Sequence, residues 1–287
     1  MLSGGGRAGA AWMLGLAAGL READIDLAAA DLIVGTSAGA RTGAQLATGT
    51  VDQALTAYHP HRLPVAKTYA GLLDFVAVAR PIQVSAGSQA DAARQIASLG
   101  PLGPGLPSTA ERRREIAAYL PVPAWPGTPL KISAVDADSG QRVVFDARSG
   151  VSLTDAVTAS GALPGVYPLA EVNGRRYADG GAWSLYSADL AVGHDVVIVI
   201  SPMPLNPSLR SRLDAEMAAL GDCVTHVILA DEISLAAIFS ADPNAVAAQE
   251  PSLAAGIAQA AKELDPLRAA WNARVAQSAP PAPPSSS

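Results

Sequence analysis

The sequence has one cysteine, Cys223, in 287 residues, so no disulfide can form within the chain and a reducing compartment is expected. Aromatic residues make up only 5%. Alanine and small aliphatic side chains must therefore fill much of the core, in a chain that is nonetheless 49% hydrophobic and 16% charged, the balance of a globular protein. Positive charge is scarce. The net charge is −6, and the densest basic cluster is Arg112-Arg113-Arg114. Flanked by Glu111 and Glu115, it reads as a solvated helix face rather than a nucleic-acid footprint, so no nucleic-acid partner is expected. No uncharged apolar run reaches the ~18 residues of a membrane span, and no basic segment precedes an apolar one at the N-terminus. A soluble, cytoplasmic chain is expected, with at most transient contact with a membrane surface; Leu72-Leu73 and Phe75-Val76 fit such contact, but core packing is the preferred reading of them.

Against these absences stands the stretch Leu32-Ile33-Val34-Gly35-Thr36-Ser37-Ala38-Gly39-Ala40. An apolar strand runs into Gly-x-Ser-x-Gly and then into a small-residue helix, the context of a nucleophile elbow. Gly35 and Gly39 flank the serine where a Cβ would crowd a tight turn. The new helix aims its free N–H groups at Ser37 and favours developing negative charge there. The same letters also fit an ordinary strand-to-helix turn with a capping serine.

Glycines appear again at the start, where Met1-Leu2-Ser3 leads into Gly4-Gly5-Gly6-Arg7-Ala8-Gly9. Strands commonly run about 5–6 residues. The sequence is therefore expected to open inside its first strand, as a start placed too far downstream would leave it. A helix is expected over residues 10–23, where Trp12, Leu16 and Leu20 recur at helical spacing. Residues 51–126 change character: helical segments fall near 51–58, 71–78 and 89–99, followed by a Gly/Pro-rich connector. Ser108 and Glu111 then have capping-box spacing. This insertion fits either a cap over an apolar site or helices packed on the sheet's outer face. Strands return at 130–135 and 142–145, around the Asn173-Gly174 turn, and at 195–200, with another at 225–229. Strands alternating with helices imply a three-layer α/β/α fold with a mostly parallel sheet. One domain is expected over residues 1–275, with a disordered Pro/Ser-rich tail over 276–287.

A serine hydroxyl needs a base. Asp179, in Tyr177-Ala178-Asp179-Gly180-Gly181, follows a strand and precedes two glycines, although a plain Asp-Gly turn reads the same way. The histidines are His59, His61, His194 and His226. An ester carbonyl under attack also needs preorganised N–H donors, which Gly4, Gly5, Gly6 and Arg7 can supply. Gly4, Gly6 and Gly9 satisfy a dinucleotide-binding pattern too, but Asp24 and Asp26 fall in the helix exit rather than at a second strand's end.

Taken in order, the glycine loop, Gly35-Thr36-Ser37-Ala38-Gly39 and Asp179-Gly180-Gly181 resemble the patatin-like phospholipase family. Supporting text includes Val135-Asp136-Ala137-Asp138-Ser139-Gly140 and residues 159–168. The resemblance implies a Ser–Asp dyad: Ser37 as nucleophile, Asp179 as general base, and backbone N–H groups of Gly4, Gly5, Gly6 and Arg7 as the oxyanion hole. It implies lipid acyl-ester substrates, with no metal and no cofactor. One departure is visible: the family's basic residue before the last glycine of the loop is Ala8 here, and Arg7 lies one place earlier. Two alternatives stay open. One is an α/β-hydrolase triad completed by His194 or His226; the other is a lipid-binding homologue with impaired turnover.

Overall fold

The structure, a computed structural model, describes residues 1–57, 67 and 70–278. His59, His61, most of the Tyr58–Ala70 connection and the expected tail from residue 279 onward lie outside the described residues. Helix α1 spans Gly6–Glu22, strand β1 Ile33–Thr36 and helix α2 Ala38–Ala47. The insertion holds α3 (Val51–Ala57), α4 (Leu72–Ser85), α5 (Gln89–Ala97) and α6 (Thr109–Tyr119). Then come β2 (Leu130–Asp136), β3 (Arg142–Phe145), α7 (Leu153–Ser160), β4 (Ala170–Val172) and β5 (Arg175–Asp179). The remainder is β6 (Val196–Ser201), α8 (Pro207–Ala218), β7 (Val224–Leu229), α9 (Glu232–Ile238) and α10 (Gln249–Ser278).

The α/β fold is as expected. Its parallel part comprises β1 with β2 and β6 with β7, while β3, β4 and β5 pair antiparallel. Leu2 joins the two parallel pairs. Its N–H donates to Val34 O and its carbonyl accepts from Thr36 N–H, while Met1 O and Ser3 N–H bond to Ile200 on β6. The three residues before the glycines thus occupy a short strand position, tied on both sides.

Strand alternation builds the layers. On β2, Ile132 and Ala134 enter the main core with α1, α2 and α7, while Val135 enters a second core under α4 and α5. On β6, Ile200 faces the main core and Val197 and Val199 face a third one beneath α8. Helices therefore cover both faces of the sheet. The long α10 lies on α1 without room for side chains between them: a Cβ on Gly15 would overlap Leu253 backbone, and one on Gly256 would overlap the Trp12 carbonyl.

Several local expectations meet their physical cause. Asn173 and Gly174 both take positive φ, as a two-residue hairpin turn requires, and connect β4 to β5. Ser108 Oγ accepts from Glu111 N–H, and the Glu111 carboxylate accepts from Ser108 N–H, closing the capping box at α6. Helix α4 runs well past the expected 71–78, through Pro81. The proline ring is on the exposed side, where water can serve the carbonyl it leaves unpaired. Helix α10 continues to Ser278, so the first three residues of the expected tail are helical.

Candidate active site

The register of β2 brings the two halves of the site together. A strand has two edges, and β3 takes one of them over residues 132–135. β1 and β5 must therefore share the other edge, end to end. β1 finishes with Thr36 opposite Ser133, and β5 finishes with Asp179 opposite Ala134. The residue after Thr36 is Ser37, so it arrives beside Asp179. Ser37 Oγ donates to Asp179 Oδ2 at 2.6 Å.

Ser37 occupies a strained backbone position, with φ 54° and ψ −113°. Its hydroxyl does not cap α2, although it stands at the N-cap position. The capping-serine reading of the motif therefore gives way: the side chain is turned to a carboxylate instead. Tight packing explains the glycines. A Cβ on Gly35 would run into the first turn of α2, and one on Gly39 into the Leu2 carbonyl. Ser37 N–H donates to Ser160 Oγ at 2.8 Å, and Ser160 donates onward to Ser133 O at 2.6 Å. Ser160, at the end of α7, is fully buried. The sequence offered no sign of this role beyond the residues around it.

Asp179 is only 2% exposed. Its Oδ1 accepts from Gly181 N–H at 2.7 Å, so the Asp-Gly turn and the contact with Ser37 use different oxygens. Burial pushes its carboxyl up to about 6, against the opposing pull of the Ser37 hydroxyl, the Gly181 amide and the positive charge of Arg112.

Of the four amides expected to form an oxyanion hole, two already have acceptors. Gly4 N–H donates to Leu185 O at 3.1 Å, and Arg7 N–H donates to Asn244 Oδ1 at 3.3 Å. No acceptor within the described residues engages the N–H groups of Gly5 and Gly6, at the start of α1. Gly5 and Gly9 also lie against Pro202, where a Cβ on either would collide, which accounts for glycine at these positions without a dinucleotide.

The basic cluster does not form a solvated face. Arg113 and Arg114 are exposed, but Arg112 and Glu115, one turn apart, point inward and are buried. Glu115 pairs at 2.8 Å with Arg112 and at 2.8 Å with Arg7. Burial alone would raise the Glu115 carboxyl; the two guanidinium groups prevail and hold it down to about 2. Arg112 also donates to Gly161 O and lies 3.8 Å from the Tyr167 ring centre. Arg7 donates to Asn244 O as well, and Arg41 donates to Arg7 O. The triad thus ties the glycine loop to α6 and to the chain entering the Asp179 side.

Ser37 and Asp179 open into a cavity of about 600 Å³. Its apolar wall includes Leu72, Phe75 and Ala79 of α4, with Leu163, Trp183 and Phe239. Its polar side carries Arg7, Arg41 and Arg112. Arg112 Nε, Tyr167 Oη and Asn244 Nδ2, all in residues lining it, are buried without a hydrogen-bond partner. The insertion thus contributes a wall to this cavity through α4, α5 and α6 rather than only packing on the sheet. A second cavity, of about 330 Å³, lies at the opposite ends of β1 and β6 and is lined by His194. His194 sits 3.1 Å from Ala191 O, and His226 on β7 faces Glu263 at 3.9 Å. Neither histidine lines the cavity of Ser37. No cluster suited to a metal ion occurs among the described residues.

Residues 1–192 match the family model of the patatin-like phospholipases. The chain belongs to that family. A search of curated proteins finds no match. Among solved structures the chain is similar to the crystal structure of VipD from Legionella pneumophila, with 14% identity and a TM-score of 0.48. The alignment covers 92% of this chain and 66% of that one, so this chain spans somewhat less than two thirds of its length.

Proposed function

We propose that this protein hydrolyses carboxylic esters of phospholipids or related lipids through a Ser37–Asp179 dyad and an acyl-serine intermediate. The observation that carries the reading is the 2.6 Å hydrogen bond from Ser37 Oγ to a buried carboxylate, at the floor of a largely apolar cavity. Asp179 accepts the hydroxyl proton as Ser37 Oγ bonds to the ester carbonyl carbon. The carbonyl oxygen becomes an oxyanion, and the N–H groups of Gly5 and Gly6 meet it. Collapse of the intermediate expels the alcohol, which leaves with the proton from Asp179. Water then gives a proton to Asp179 and attacks the acyl carbon. The fatty acid departs, and the proton returns to Ser37.

A carboxyl near 6 suits this work. It is ionised at neutral pH and still a far better base than an ordinary aspartate. The apolar wall favours acyl chains over polar acids. The guanidinium groups opposite it favour an acceptor-rich head group.

The test is a chain-length series of p-nitrophenyl esters on the wild type, Ser37→Ala and Asp179→Asn, together with fluorophosphonate labelling of Ser37. Both variants are expected to lose roughly 10²–10⁴-fold in kcat, and the wild type to label at Ser37 alone. Undiminished turnover in Ser37→Ala defeats the reading. An unlabelled wild type favours a lipid-binding protein without turnover.

A further inference from the structure

Helix α4 is apolar on both sides. Leu72, Phe75 and Ala79 are buried against the cavity and the second core. Exposed large apolar side chains are ordinarily scattered singly over a surface. Yet Leu73 is 51% exposed, Val76 39%, Val78 37% and Val84 76%. Among the described residues nine large apolar side chains are exposed, and four of them stand on this one helix. Leu73, Ala77, Arg80 and Val84 follow one another at i, i+4, i+7 and i+11, so they form a single outward stripe. The only charged residues on α4 are Asp74 and Arg80. Asp74 is occupied in capping, since it accepts from Gly71 N–H at 2.8 Å. The helix is also held firmly. Leu72 N–H and Leu73 N–H donate to the two oxygens of Asp242, at 3.0 and 3.1 Å.

We propose that the outer face of α4 is the surface by which this protein docks on a phospholipid bilayer. The identity of the partner rests on the hydrolase reading above, and its place on the molecule on position. Leu73 and Val76 belong both to the exposed face and to the lining of the cavity that holds Ser37. A bilayer covering the face therefore lies against the cavity's mouth, and an acyl ester passes from lipid to Leu72 and Phe75 without crossing water. The candidate residues for lipid contact divide by exposure: Leu73 and Val76 are exposed, Leu72 and Phe75 buried. With a net charge of −6 and one arginine on the face, burial of apolar side chains drives docking, not attraction to anionic lipid. Zwitterionic vesicles suffice as partner, and salt has little effect.

The experiment is co-sedimentation with phosphatidylcholine vesicles in the Ser37→Ala background, where no lipid is consumed. Val78→Gln/Val84→Gln removes two apolar side chains outside the cavity lining and improves helix propensity. It is expected to weaken vesicle binding about tenfold or more. A control pair on other exposed sites, Ile233→Gln/Ile257→Gln, is expected to bind like the parent. With Ser37 restored, the α4 pair is expected to cleave a soluble short-chain ester at the wild-type rate. The proposal is overturned by a parent that stays in the supernatant, by an α4 pair that pellets like the parent, or by light scattering that shows a dimer dissolved by the same substitutions. Vesicle binding intact in a protein that cleaves no ester counts against the hydrolase reading alone and supports the docking face.

Discussion

Glu115 holds Arg7 at 2.8 Å in a pair from which solvent is excluded: Glu115 has no exposed side-chain surface and Arg7 only 5%. The same carboxylate holds Arg112. Removing one member of such a group leaves buried charge uncompensated, at a cost of about 3–5 kcal/mol. Glu115→Gln preserves volume and is expected to lower stability by that amount in denaturant unfolding. Arg113 lies on the same helix and pairs with Asp155, but its side chain is 56% exposed. Arg113→Ala is expected to cost about 0–1 kcal/mol, as solvent-screened pairs do. Equal losses in the two variants would remove Glu115's distinction.

The acid limb of activity is the second prediction. Asp179 acts as a base only when ionised, so kcat/KM is expected to rise with pH through an apparent pKa of about 6 and then level off. Arg112's charge holds that carboxyl down. Arg112→Met keeps bulk over Tyr167 but removes the charge, so the limb is expected to move to higher pH. His194→Ala and His226→Ala are expected to leave the profile unchanged. A limb that vanishes with either histidine would point to a triad.

Catalysis here competes with stability. The Asp179 carboxyl titrates near 6 in the folded protein, above its ordinary 3.8. A group raised in this way favours folding most below 3.8, and that contribution is lost as pH rises through 6. At neutral pH the buried carboxylate costs about 3 kcal/mol. Asp179→Asn replaces it with a neutral side chain of the same shape. The variant is expected to be inactive and about 1–3 kcal/mol more stable at neutral pH, the gap closing at acid pH. Melting temperatures of the two proteins across that range decide the matter.

Ser37, Asp179 and the glycine loop were legible because each belongs to a short pattern: strand–turn–helix for the first, strand–turn for the second. The β4–β5 hairpin was legible for the same reason, from Asn173 and Gly174 alone. What escaped was long-range. Arg112 and Glu115 sit in a run of charges that reads as solvated, and only distant partners give them a reason to turn inward, Arg7 for Glu115 and Gly161 and Tyr167 for Arg112. Gly15 and Gly256 carry no local signal, since each is needed only because the other helix passes so close. The amides of Gly4 and Arg7 are taken by Leu185 and Asn244, acceptors that lie far away in the chain and leave no mark on the glycine loop itself.

Ser160 provides the last prediction. It stands between Ser37 N–H and Ser133 O, and its hydroxyl satisfies both while fully buried. Ser160→Ala orphans an amide and a carbonyl at once, at a cost of about 1–3 kcal/mol each. The amide belongs to a residue whose φ of 54° persists only under constraint from its surroundings. Loss of the anchor is therefore expected to reach beyond stability. The Ser37 hydroxyl relaxes away from Asp179, and the rate of fluorophosphonate labelling falls about tenfold or more, with the acid limb of the pH profile still near 6 because Asp179 keeps its burial and its bond from Gly181. A variant that is less stable but labels at the wild-type rate would reduce Ser160 to a packing residue.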